Sequence, residues 1–161
     1  MKSGEAFNQG LRSYAARDFV KAIEYFTDAL CANPENVNYY YYRGVCFQEM
    51  GNAPKAISDY SEALIRHPDT SAIRYNRAEL YLASGDAGQA LSDYEMILTS
   101  EKEEDRHWVA LAYLGRGLIL LEEERVEEAI SDMSSAEELA KKDGDKLLLA
   151  RIGDELERSG F

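Results

Sequence analysis

Four times along this chain a small residue is followed, 12 positions later, by an alanine: Gly10 and Ala22, Gly44 and Ala56, Ala78 and Ala90, Gly117 and Ala129. The first three copies are evenly spaced, and the fourth is displaced by five extra residues. Beyond each alanine the pattern continues at i+4 with Phe26, Tyr60, Tyr94 and Met133, and at i+7 with Ala29, Ala63, Ile97 and Ala136. Those spacings put the three residues along one stripe of a helix, and the small residue lets a second helix backbone approach it closely. The clearest copy is Val37 to Thr70, where Gly44 lies between Tyr40 and Phe47, and Gly51-Asn52 joins the two helical patterns. Pro54 falls just inside the second helix, where its missing N–H costs nothing, and Pro68 closes the unit. A chain built this way must fold as helix hairpins packed one on the next.

A helix–turn–helix period of about 34 residues with this small/aromatic pattern resembles the tetratricopeptide repeat. The resemblance implies an all-α, right-handed superhelix of four hairpins, over about 3–36, 37–70, 71–104 and 110–143, with 144–161 as a C-terminal capping helix. Departures are local. The large residue that opens each hairpin is Ala6, Tyr40, Arg74 or Tyr113, and the closing proline occurs only as Pro34 and Pro68. Ile97 replaces a small residue, so a looser contact is expected between the third and fourth hairpins. The irregular stretch 100–108 carries the five extra residues and leads into a helix over 105–122, with Asp105 as its expected N-cap. The cap over 146–159 places Leu148, Ile152 and Leu156 on one face and charges on the other, as the end of a solenoid requires.

Composition narrows the function. With 45% hydrophobic residues and only 3 prolines, the chain can bury a core. Its longest apolar run, from Trp108 to Leu121, includes Arg116 and falls short of the ~20 residues that a spanning helix needs. No leader-like stretch precedes the first repeat, so a soluble, cytoplasmic protein without a membrane partner is expected. Net charge is -12, with 17 Asp/Glu against 9 Lys/Arg over 101–161 and 13 against 9 over 1–100. Such a field repels a phosphate backbone, so nucleic acid is not an expected partner. Cys31 and Cys46 lack metal or redox spacing; Cys46 reads as a buried thiol on the inner side of its helix.

Catalytic chemistry finds no foothold. Gly115-Arg116-Gly117 lies inside a helix with no strand before it, which makes it a packing feature. His67 and His107 stand in different hairpins with no acid or thiol spaced around them, and Glu122-Glu123-Glu124 is a charge run at a helix end. No catalytic residue, metal ligand or cofactor is expected, and the chain does not read as an enzyme. One polar pattern does recur. Arg43, Arg77 and Arg116 precede the small residue, and Asp59, Asp93 and Asp132 follow them at one constant spacing, while the first copy has Gln9 and Tyr25 instead. Joint presence and joint absence point to a structural ion pair within each hairpin.

Tetratricopeptide co-chaperones hold an acidic chaperone tail with a clamp of lysine, asparagine and arginine on their first helices. Here the clamp positions would be Phe7, Leu11, Tyr42, Ala72 and Asn76, or Tyr41, Val45, Asn76, Leu111 and Gly115. None is cationic, so an acidic chaperone tail is not an expected partner. The resemblance instead turns Phe7, Asn8, Leu11, Tyr14, Tyr41, Tyr42, Val45, Tyr75, Asn76, Glu79, Leu82 and Leu114 toward the concave face. Tyr40, Phe47, Tyr60, Tyr81 and Tyr94 are assigned to the seams between helices. An aromatic-lined groove suits a peptide segment of a partner protein, which makes the chain an adaptor or scaffold. The alternative within binding proteins is a small acidic chaperone for a secreted protein, similar to class II type III secretion chaperones.

Overall fold

The computed structural model describes residues 2–160. Among these residues there are nine α-helices and no strand: α1 (Ser3–Ala15), α2 (Phe19–Ala32), α3 (Val37–Glu49), α4 (Ala53–Arg66), α5 (Ser71–Ala83), α6 (Ala87–Leu98), α7 (Arg106–Glu122), α8 (Val126–Asp143) and α9 (Lys146–Arg158). They form two compact units, 1–80 and 81–161, and the division falls inside α5. In the first unit α1 packs on α2, α2 on α3, and α3 on α4. In the second, α6 packs on α7, α7 on α8 and α8 on α9.

The period read from sequence is the core of both units. Ala22, Ala56, Ala90 and Ala129 are fully buried, as are Phe26, Tyr60 and Tyr94, with Met133 close behind. Close approach explains the small residues opposite. A methyl group on Gly10 would collide with the Phe26 ring, and one on Gly44 would come 2.8 Å from Tyr60. Ala56→Leu or Ala90→Leu should therefore cost about 1–3 kcal/mol by overpacking, read by urea denaturation; unchanged stability in both would contradict the close crossing.

Every hairpin turns the same way. Arg17, Gly51, Gly85 and Glu124 occupy the equivalent position and all have positive φ, at 59, 73, 82 and 61°. The next residue caps the second helix: Asp18, Asn52 and Asp86 accept from the N–H of Lys21, Lys55 and Gln89 at 3.1, 3.3 and 3.1 Å. Their fourth counterpart, Arg125, makes no side-chain cap bond. Instead its guanidinium donates to Glu128 at 2.8 and 2.7 Å. A left-handed non-glycine residue costs about 1–2 kcal/mol, of which a more flexible unfolded chain takes back part. Glu124→Gly should hence stabilise the protein by about 1 kcal/mol, visible as a higher denaturation midpoint.

The extra residues before α7 form a short 3₁₀ turn, Glu103–Asp105. Asp105 does not cap α7: its backbone is already helical and its side chain makes no cap bond. It is buried and accepts from the Ser100 hydroxyl at 2.6 Å, which ties the inserted loop down. α8 ends at Gly144, whose φ of 67° is left-handed. Asp145 caps α9 through the Leu148 N–H at 2.9 Å. Leu148 and Ile152 are buried against Leu114, Met133, Ala136 and Ala140, with Leu156 half-buried beside them. At the start of α7, Arg106 donates to Asp143 at 2.7 Å and His107 Nδ1 lies 3.2 Å from Asp145, so both hold the α8–α9 turn.

Candidate peptide-binding face

Ion pairs fix the first helices before any ligand is considered. Arg43 forks onto Asp59 through Nε and Nη2, at 2.8 and 2.7 Å. Arg116 forks onto Asp132 at 2.6 and 2.8 Å. Both aspartates are buried. Burial pushes the Asp59 carboxyl up, and the Arg43 fork pulls it back down. The same hydrogen bond raises Arg43, and the two short parallel bonds are the geometry of a guanidinium–carboxylate pair. Arg77, on α5, donates to Ser61 at 2.9 Å.

On this frame the first unit gathers a row of half-buried aromatic residues from α1 and α3. The Tyr42 ring stands 5.5 Å from Phe7, 6.3 Å from Tyr14, 5.9 Å from Phe26 and 5.2 Å from Tyr41. Tyr14 and Tyr41 both meet it edge-on, at 71 and 73°. Leu11 and Val45 are half-buried in the same helices. Tyr41 is hydrogen-bonded to the Asn76 side chain of α5, and burial raises its pKa, which keeps it a neutral phenol. Rigid rings with hydroxyl tips are the composition that interface anchors favour.

The predicted residues divide. Phe7, Leu11, Tyr14, Tyr41, Tyr42, Val45, Asn76 and Glu79 lie in the first unit and are half-buried, and Asn8 is exposed there. Tyr75 and Leu114 do not belong on an open face. Tyr75 is 9% exposed and Leu114 is fully buried, sealed by Met133, Ala136 and α9. They hold the repeat position of Phe7 and Tyr41, which is inward-facing at those two later copies. Leu82 is half-buried in the second unit. Among the residues assigned to the seams, Tyr60 and Tyr94 are fully buried, and Tyr40 and Phe47 pack half-buried against the cluster of Ala56, Tyr60 and Ala63. Tyr81 is half-buried, and Tyr39, not assigned to a seam, is buried with Ala6, Ala29 and Leu30, where Tyr40 also packs. The Tyr40 ring carries the Arg66 guanidinium 4.4 Å from its centre.

Charge follows the same division. The first unit has 10 Asp/Glu against 9 Lys/Arg, and the second 20 against 9. The aromatic face thus sits in a nearly neutral unit, and the acidity belongs to the other. Cys46 is buried, which pushes its thiol up to about 12, and Cys31 is exposed; neither is in a disulfide. Among the described residues no cluster of His, Cys, Asp or Glu could hold a metal ion, and no helix is long and apolar enough to cross a membrane.

A tetratricopeptide repeat model matches residues 7–49 and 47–105, and the chain belongs to that family. Its fold is similar to that of MamA (TM-score 0.80, 17% identity, covering 89% of this chain and 81% of that one). It is also similar to the Yersinia enterocolitica type III secretion chaperone SycD in complex with a peptide of the translocator YopD, at TM-score 0.70 and 19% identity, covering 74% of this chain and 93% of that one. A third likeness is the first TPR of Spaghetti (RPAP3) bound to the HSP90 peptide SRMEEVD, at TM-score 0.60 and 18% identity, covering 69% and 90%. No curated protein matches the sequence.

Proposed function

We propose that this protein is a protein-interaction module whose first unit holds an apolar segment of a partner protein on the face built by Phe7, Leu11, Tyr14, Tyr41, Tyr42 and Val45. The observation that carries this reading is the aromatic row itself: large, rigid side chains left half-open in a nearly neutral unit. The fold supports it, since SycD and RPAP3 are each described with a bound peptide. An acidic tail like SRMEEVD does not fit this face, because none of its clamp positions is cationic and the fork of Arg43 is taken by Asp59. The likeness to SycD favours one second reading, in which the bound segment belongs to a secreted protein that the module chaperones.

Tyr14 is the cleanest probe, because among the described aromatic residues its ring meets only Phe19 and Tyr42. With a partner recovered by affinity purification and then purified, Tyr14→Ala should weaken binding by roughly 30-fold, about 2 kcal/mol, at an unchanged circular dichroism spectrum. Val45→Lys should do the same. Raising salt from low to moderate should change the affinity little, since the contacts are apolar. Wild-type affinity in both variants would remove the face as the site.

A further inference from the structure

Several half-buried rings of this chain come with a cation of their own. Arg17 lies over Phe19 at 5.3 Å, Lys55 over Phe47 at 5.3 Å, Arg66 over Tyr40 at 4.4 Å and Arg116 over Tyr113 at 5.7 Å. Three of these four cations are arginines. Tyr14 and Tyr42 are half-buried too, and no cation of the described residues lies over either ring. Their hydroxyls likewise bond to nothing among those residues, whereas Tyr60 donates to Gln48 at 2.8 Å and Tyr41 is held by Asn76. Burial is the largest cause that raises the Tyr41 pKa, and the phenols of Tyr42 and Tyr14 add to it, which places the three hydroxyls near one another. The Tyr14 and Tyr42 rings meet at 71° with their centres 6.3 Å apart, a corner with an aromatic wall on each side.

Resting on the reading of this face as the binding site, we infer that the segment it holds carries an arginine whose guanidinium lies in the corner between Tyr14 and Tyr42. Ring faces are negative and attract a cation. A guanidinium is planar, so it lies flat on one ring while the N–H groups at its edge donate to the phenol oxygens. An ammonium is a more strongly hydrated point charge and gives up more on leaving water. A carboxylate would meet the negative faces. An aliphatic side chain in the corner would cover two hydroxyls and leave them unmet, which forfeits their bonds to water. The rest of the segment remains apolar, on Phe7, Leu11 and Val45. Because the rings are neutral, the arginine adds no ion pair for salt to screen.

The test titrates the full chain with acetyl-Leu-Arg-Leu-amide and with its citrulline counterpart, which keeps the shape of arginine and loses its charge. Ring resonances of Tyr14 and Tyr42 report binding. The arginine peptide should shift both rings saturably and bind about three- to thirtyfold more tightly than the citrulline peptide. Tyr14→Leu keeps an apolar surface and every charge of the protein, so the two peptides should then agree within about twofold, read at Tyr42. Tyr14→Phe keeps the ring and should retain a preference for arginine. Equal affinities in the wild type, or a preference that survives Tyr14→Leu, would overturn the arginine and leave the apolar face standing. No saturable shift from either peptide up to about 10 mM would overturn it as well, and the face would then stand or fall with Tyr14→Ala against the partner.

Discussion

Arg43→Ala should destabilise the protein by about 3–5 kcal/mol, because it strands a buried carboxylate without its partner. The geometry behind the figure is a bidentate fork at 2.7 and 2.8 Å onto an aspartate whose side chain is 6% exposed. Asp59→Ala should lose stability as well, and the double variant should lose less than the sum of the two. The sign of the pH dependence follows from burial, which raises the Asp59 pKa in the folded state. Without Arg43 nothing opposes that rise. A raised folded pKa means stability that is present below the unfolded value and is lost as pH climbs through the folded one. The deficit of Arg43→Ala should therefore be full well above the raised folded pKa and shrink as pH falls through it, because buried Asp59 takes up its proton before the unfolded chain does. Urea denaturation across that range checks it, and additive, pH-independent losses would show that the fork contributes nothing.

Phe26→Ala should cost a similar amount, about 3–5 kcal/mol. Phe26 is fully buried, sits against the backbone of Gly10, and supports Phe7 at 5.7 Å and Tyr42 at 5.9 Å. Alanine leaves a cavity beneath two rings of the proposed binding face. The variant should thus lose stability and also loosen the face, seen as averaged ring resonances for Phe7 and Tyr42. A loss below about 1 kcal/mol would mean the site collapses readily and the face has other support.

The stacking of hairpins was legible because burial writes itself into sequence as a period. Alanines with no room for a longer side chain, and glycines under Phe26 and Tyr60, can be located by counting along the repeat. The ion pairs were legible for the same reason: Arg43 with Asp59 and Arg116 with Asp132 appear together, and Gln9 and Tyr25 are absent from the pattern together. Two of the turn residues were not legible. Arg17 and Glu124 adopt the left-handed conformation that Gly51 and Gly85 advertise, and nothing in an arginine or a glutamate announces it. The face proposed for binding was only partly legible, since position within a repeat says which way a side chain starts but not what covers it. Leu114 and Tyr41 share one position, yet α9 and Met133 close over the first, and the second stays half-open. Ile97 suggested a looser contact between the third and fourth hairpins; Ile97 is itself buried, and the cavity at that contact lies beside Glu95 of α6 and Arg116 of α7.

The most direct test of the binding face is photo-crosslinking with the purified partner, using p-benzoylphenylalanine placed in turn at Val45 and Asn8 in the first unit and at Glu128 in the second. Adducts from Val45 and Asn8 that map to one short apolar segment of the partner are the predicted result. Adducts from Glu128 alone, with none from the first unit, would contradict it.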